Sequence, residues 1–402
     1  MAEKKKAALD GIRVLDLSRV LAGPWCTMIL GDLGAEIIKV ENPAGGDETR
    51  DFGPPFEAGE SAYYMAANRN KKSILADLKT EEGQGIVRRL AEISDVLIEN
   101  FRLGAMEKFG LALDDLRQAN PKLVTCSISG YGRMSPYAAR AGYDFMIQAE
   151  SGLMSITGEP DGPPLRVGVA TADLTTGNHA VQGVLAALYA REKTGRGQHV
   201  DLALLDCQVA GLANIGAAYL MSGKRPERHA NAHPNVSPYE AFETADEPIA
   251  LTVANDRQFV TLCKLMRVED LPKDRRFATN SKRAANRKAL KPELEKVFRT
   301  DGRDRWLEKL HAAGLPAGPI RTVDEALDSP EVKAAGLIKE MPHPAMGTCR
   351  LVGSPLRLSG TPVVEPFHPP MLGEHTAEVL TDVLGWDAAE AKDYAERVKG
   401  AG

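Results

Sequence analysis

Residues 12–41 read IRVLDLSRVLAGPWCTMILGDLGAEIIKVE. The run IRVLDLS is short, apolar and partly β-branched. AGPWCTMILGDLG has the length and composition of a helix closed by glycine, and AEIIKVE is a second strand of the buried type. Strand, helix and strand in that order make a βαβ unit. The same alternation continues outward: GIVRRLAEI is helical, DVLIEN a strand, LGAMEKFG helical and KLVTCSISG a strand. Short apolar strands spaced by helices are expected to lie parallel with both faces covered. The next helix, LTTGNHAVQGVLAALYAREKTG, sets Val181, Leu185 and Leu188 on one face, carries Arg191 and Lys193 in its last turn and stops at Gly195. GQHVDLALLD then supplies a further strand. The reading is an α/β protein with a large, doubly wound, Rossmann-like domain.

The chain has 402 residues, 43% hydrophobic and 26% charged, with a formal net charge of −5. That composition suits a globular protein with a sizeable core and gives no electrostatic case for nucleic acid. Length alone suggests two domains. After residue 225 the texture changes, with HANAHPNVSPYEAF rich in His, Asn and Pro and the following stretch more charged and helical. Residues 1–224 are assigned to the large domain, 225–325 to a smaller inserted α+β domain, and 326–402 to a segment returning to the large domain, with helical runs from near Glu374 and Ala388. Five scattered cysteines, Cys26, Cys126, Cys207, Cys263 and Cys349, form no CxxC pair and suggest buried thiols and no metal site. The lysine run in MAEKKKAALDG lacks an apolar region behind it, and no stretch holds the roughly 18 uninterrupted apolar residues of a membrane span. A cytoplasmic protein with no membrane partner is expected.

A dinucleotide site would want GxGxxG in the first βα turn, where this chain has SRVLAGP, and SISGYG lacks the first glycine of a GxSxG elbow. The remaining candidate is Asp173, in GVATADLTTG. On spacing alone it is an ordinary helix cap. A carboxylate just before a helix expected to begin near Leu174 can accept backbone N–H bonds at the positive end of the dipole. Both effects favour the anion, already the stable form at neutral pH for a group of unperturbed pKa near 3.9.

The order of LDGIRVLDLSRVLAGPW, GDLGAEIIKVENPAGGDETR, NRNKKSILADLK, ENFRLGAMEKFGL, SGYG, GPPLRVGVATADLTTG and KTGRGQHVDLALLD resembles that of the family III CoA-transferases, the CaiB/BaiF type. NRNKKSI, RAGYD and SGLMSITG look most like the dicarboxylate branch that includes succinate–hydroxymethylglutarate CoA-transferase. The resemblance implies a CoA-transferase that moves CoA from an acyl-CoA, with succinyl-CoA the expected donor, to a small dicarboxylate. Asp173 would act as nucleophile, through an aspartyl anhydride and an aspartyl-CoA thioester, with CoA as substrate and no permanent cofactor. It also implies an interlocked homodimer.

The resemblance places CoA contacts at Val20 and Leu21 and at Asn100–Phe101, and the basic residues Lys39, Arg69, Lys71, Lys72, Arg102 and Lys108 are read as a phosphate clamp. Arg19, Arg69 and Arg140 are cations for a remote substrate carboxylate. Tyr143, in RAGYD, stands where the related α-methylacyl-CoA racemases carry a histidine. A phenol is a poor base for an α-proton at neutral pH, so the racemase is the second reading. His229, His233 and Tyr239 are candidates to shield the anhydride from water, from a partner subunit.

Overall fold

The computed structural model describes residues 6–400 and divides the chain into two compact units. One comprises the residues up to Leu153, Arg166–Lys224 and those from Glu331 onward; the other comprises Met154–Leu165 and Arg225–Pro330. Residues 154–165, given to the large domain on sequence, therefore group with the second unit.

The first unit is built on a six-stranded sheet of β1 (Arg13–Asp16), β2 (Glu36–Glu41), β3 (Lys71–Leu75), β4 (Val96–Glu99), β5 (Val124–Ser129) and β6 (His199–Ala203). Its spatial order is β3-β2-β1-β4-β5-β6 and every neighbouring pair is parallel. This is the mixed α/β class with a parallel sheet that the opening stretch predicts. Successive side chains point to opposite faces of a strand, and both faces here are apolar. Leu15, Ile38, Ile74 and Leu97 enter one core, with α2 (Glu81–Glu92) and α3 (Leu113–Ala119). Val14, Ile37, Val96, Ile98 and Cys126 enter the other, with α1 (Ala22–Asp32) and α5 (Thr171–Thr194). Each fully buried aliphatic side chain contributes roughly 1.5–3 kcal/mol.

Helix α1 is buried nearly all round, which explains why its sequence has no polar stripe. Its start is pressed against the loop after β1: a Cβ on Gly23 would lie 2.3 Å from that of Ser18, so only glycine fits. Helix α5 ends at Gly195, whose φ of +70° forms the expected left-handed cap. Two C-terminal helices, α6 (Thr376–Asp382) and α7 (Ala388–Gly400), join this unit through β3. The Leu75 N–H donates to Thr376 Oγ1 (3.1 Å) and Tyr394 Oη donates to the Leu75 carbonyl (3.2 Å).

The second unit holds a three-stranded antiparallel sheet of Ala317–Pro319, Ile249–Thr252 and Tyr239–Phe242, in that order. Helices Asp256–Leu265, Arg287–Phe298 and Arg303–Ala312 accompany it. Phe242, Phe259, Phe277, Phe298 and Trp306 fill its core, and the Trp306 indole N–H donates to the Phe298 carbonyl (2.7 Å).

Candidate active site

Strand order reverses between β1 and β4, and ligands of open parallel sheets bind beyond the carboxyl ends of the strands at such a point. Two cavities of about 340 Å³ each lie there and share Arg19, Phe101 and Arg102 in their walls. The first runs over the ends of β2 and β3, against Lys39, Asn42, Asp77, Lys79 and Phe109. The second runs toward β5 and α5, against Val20, Leu21, Asn100, Gly130, Gly142, Tyr143 and Asp173. Gly130 and Gly142 touch backbone to backbone there, and a Cβ on Gly142 would stand 2.4 Å from the Gly130 Cα.

The wall common to both cavities includes Arg19 of the loop after β1, and that loop is held from two sides. Asn100, just past β4, accepts from the Arg19 N–H (2.8 Å) and donates to the Arg19 carbonyl (2.7 Å). Asp47 accepts from the Val20 N–H (3.2 Å). Between these anchors Val20 takes φ +68°, a left-handed conformation costly for a β-branched residue and one the surroundings must impose. Burial alone would raise the Asp47 pKa. The Lys39 ammonium at 2.9 Å and the donors of Thr49 outweigh it and hold the carboxyl at about 2.

Asp173 lies in the first turn of α5, which begins at Thr171, and half-buried in the wall of the second cavity. The capping expected of it does not occur, because its carboxylate accepts no hydrogen bond from any described residue. The cap comes from Asp144, the first residue of α4 (Asp144–Glu150), whose Oδ1 accepts from the Ala172 N–H at 2.8 Å. The expected stabilisation of the anion is reversed as well. Burial, and then the neighbouring Asp144 charge, push the Asp173 pKa from 3.8 up to about 7. Asp173 is thus an unpaired, partly desolvated carboxyl group facing a cavity, and its ionised form is able to attack an electrophile without a separate base.

The model of CoA-transferase family III matches residues 9–376 of this sequence. The chain belongs to that family. It is 46% identical over 390 residues to a succinate–glutarate CoA-transferase of Agrobacterium fabrum, spanning 94% of this chain and 96% of that one. It is 43% identical over 379 residues to the human succinyl-CoA:glutarate CoA-transferase, spanning 94% and 86%. The fold superposes on the crystal structure of a CaiB/BaiF family protein from Brucella suis with TM-score 0.85 at 45% identity, covering 94% of this chain and all of that one. The resemblance drawn from the sequence motifs holds, and the protein is a family III CoA-transferase, an enzyme whose substrates are CoA thioesters.

The residues singled out on sequence for this CoA-transferase fall into distinct places. Val20, Leu21, Asn100, Phe101, Arg102, Arg19, Arg140 and Tyr143 line the second cavity together with Asp173. Arg102 is exposed and makes no ion pair with any described residue; Arg19 is paired with Glu48 (2.8 Å) and Arg140 with Glu150 (2.6 Å). Lys108 is exposed outside both cavities. The clamp assigned to NRNKKS is not there. Arg69 pairs with buried Asp32 and donates to the Val352 carbonyl (3.0 Å), while Lys71 is fully buried on Asp16 (3.2 Å), the Pro24 carbonyl and Asn68. Lys72 bridges Glu36 and Glu378. The reason is topological: β3 begins at Lys71, which puts this motif at the amino ends of the strands, away from the cavities. Lys39 borders the first cavity, yet its ammonium is fully buried between Asp47 and the Ser18 carbonyl (2.8 Å). His233 and Tyr239 lie in the second unit with their rings stacked at 5.1 Å, and His229 is in the same unit.

Sequence reasoning missed Lys79, an exposed cation on the first cavity with no side-chain partner among the described residues. It also missed Tyr63, whose phenol is pushed up by burial and then by the Asp173 charge, and Asp144. The RAGYD motif draws attention to Tyr143 and away from the aspartate beside it.

Proposed function

We propose that this CoA-transferase moves CoA between succinyl-CoA and a small dicarboxylate, with glutarate the first acceptor to test, through covalent forms of Asp173. The observation that carries the reading is the unpaired Asp173 carboxylate on a cavity that shares Arg19, Phe101 and Arg102 with a second one, whose free cations, Arg102 and Lys79, suit the phosphates of CoA. The Asp173 oxygen attacks the thioester carbonyl, the C–S bond breaks and CoA thiolate leaves, giving a mixed anhydride. The thiolate then attacks the Asp173 carbonyl, expelling succinate and forming aspartyl-CoA. The incoming carboxylate attacks that carbonyl and releases thiolate, which takes the new acyl group and frees Asp173. Each step exchanges one acyl bond for another, so no net proton moves and the cycle runs in either direction. The dicarboxylate assignment is supported by both relatives' names. The racemase alternative is not favoured, since Tyr143 offers no base and both relatives are transferases.

The test incubates the enzyme with succinyl-CoA and a panel of acids and scores new CoA esters by mass. Dicarboxylates are expected to lead. Monocarboxylates outperforming every dicarboxylate would defeat the substrate assignment.

We also propose that the working form is the interlocked homodimer. The helix Ala213–Ser222 is apolar yet has no buried residue, with Leu220 83% and Met221 89% exposed, a surface that calls for a cover. No single described helix is long and apolar enough to cross a membrane, although Leu204–Ala210 and Ala213–Ser222, bent by 76°, pass together by length and composition. A monomeric mass with full activity at nanomolar concentration would refute the dimer.

A further inference from the structure

Helix α4 presents two polar side chains to the segment that leads into α5. Gln148, fully buried, accepts from the Val167 N–H (2.9 Å) and donates to the Val169 carbonyl (3.3 Å) and to Asp144 Oδ2 (2.8 Å). Asp144 Oδ1 takes the Ala172 N–H, one residue before the nucleophile. Both Asp144 oxygens are therefore used, and by neutral donors. No cation among the described residues pairs with it.

We propose that Asp144 is a positioning residue for the transfer reaction: it fixes the first turn of α5 and sets an uncompensated negative charge beside Asp173, which favours the covalent forms of the nucleophile. The inference rests on the assignment of Asp173 as nucleophile. Through the cycle Asp173 alternates between a free carboxylate, which is charged, and anhydride or thioester, which are not. A fixed like charge beside the carboxylate raises the free energy of the first state, whereas in the other two the negative charge has left the Asp173 oxygen for the departing thiolate or succinate. The effect acts on the ground state and makes acylation of Asp173 less unfavourable.

The other titratable groups around Asp173 do not cancel that charge. From the segment before α4 come Arg140, bound to Glu150, and Tyr143; from the loop after β1 comes Arg19, bound to Glu48. Tyr63 comes from the helix Ala62–Ala67. The helix Leu204–Ala210, packed on α5, carries Asp206 and buried Cys207, and α1 carries buried Cys26. The raised pKa of Asp173, due to burial and then to Asp144, agrees with this geometry.

The experiment uses the full-length enzyme with succinyl-CoA and glutarate. It compares wild type, D144N and D144S, which keep a capping oxygen without the charge, and D144E, which keeps the charge. Two readouts are taken: the acid limb of kcat/KM against pH, and the fraction of enzyme trapped as an Asp173 adduct by hydroxylamine during turnover. In D144N and D144S the acid limb is expected to fall by about one pH unit or more, and the trapped fraction by about tenfold. D144E is expected to retain the wild-type limb. Neutral variants that fold with limb and trapped fraction unchanged overturn the proposal, as do neutral variants that unfold while D144E remains folded, which would make the role structural. Absence of any Asp173 adduct in wild type would instead overturn the nucleophile assignment.

Discussion

Replacing Asp173 by asparagine is expected to abolish transfer and at the same time stabilise the protein. The amide is isosteric, and the first turn of α5 is capped by Asp144, so the fold does not depend on the Asp173 carboxylate. Loss of a nucleophile lowers turnover by at least about three orders of magnitude. The stability gain follows from the pKa of about 7 against an ordinary 3.8. Between those values the folded chain holds a proton that the unfolded chain has already lost. Native stability therefore falls as pH rises across that window and is level above it. At about 1.4 kcal/mol per pH unit the ceiling is about 4 kcal/mol. The carboxylate faces an open cavity, and solvent screening reduces the expected gain to about 1–2 kcal/mol at pH 8. Urea unfolding of wild type and Asp173→Asn at pH 4 and pH 8, with equal slopes, measures it. A stability advantage of the variant that is the same size at both pH values, or absent at pH 8, would refute the claim that Asp173 is a strained, uncompensated charge.

Asn100→Ala removes both hydrogen bonds that hold Arg19 and frees the loop to relax Val20; CoA affinity should fall about tenfold, read by titration calorimetry with CoA. Arg102→Ala and Lys79→Ala should each weaken CoA binding a few-fold, and by less at high salt, since both cations are exposed. An unchanged affinity in both would move the phosphates elsewhere. Lys71→Met, by contrast, should leave CoA contacts alone but strip a buried partner from Asp16, at a cost of about 3 kcal/mol in a denaturant titration.

The fold is legible in the sequence because its signals are local. Apolar runs such as DVLIEN, helices of regular period and the stop at Gly195 each depend on neighbours in the chain, and Asp173 stands out because ADLTTG is a contiguous motif. The start of α5 is not legible. Its cap is Asp144, 28 residues before Ala172 in sequence, so the local pattern starts the helix near Leu174 where the structure starts it at Thr171. For the same reason the sequence points to the wrong sign for the Asp173 shift: a dipole argument uses only the helix itself, whereas the burial and the opposing charge come from elements brought in by tertiary structure.

The basic residues show a different failure. Lys39 and Lys71 read as phosphate ligands because basic residues at or after strand ends suit the phosphates of CoA. The partners are internal, and they form one chain of contacts. Lys71 reaches Asp16, Asp16 accepts from Ser18, the Ser18 carbonyl accepts from Lys39, and Lys39 reaches Asp47. Asp47 in turn accepts from the backbone of Val20, in the wall of the cavity that holds Asp173. A fully buried ion pair adds little net stability, because desolvation offsets its attraction, but breaking one leaves a costly unpaired charge and so restricts the backbone to arrangements that keep it. That restriction is what a left-handed valine in a ligand-facing loop requires. The lysines act on the site through the shape of the loop, and in the sequence a scaffold of this kind cannot be told from a clamp.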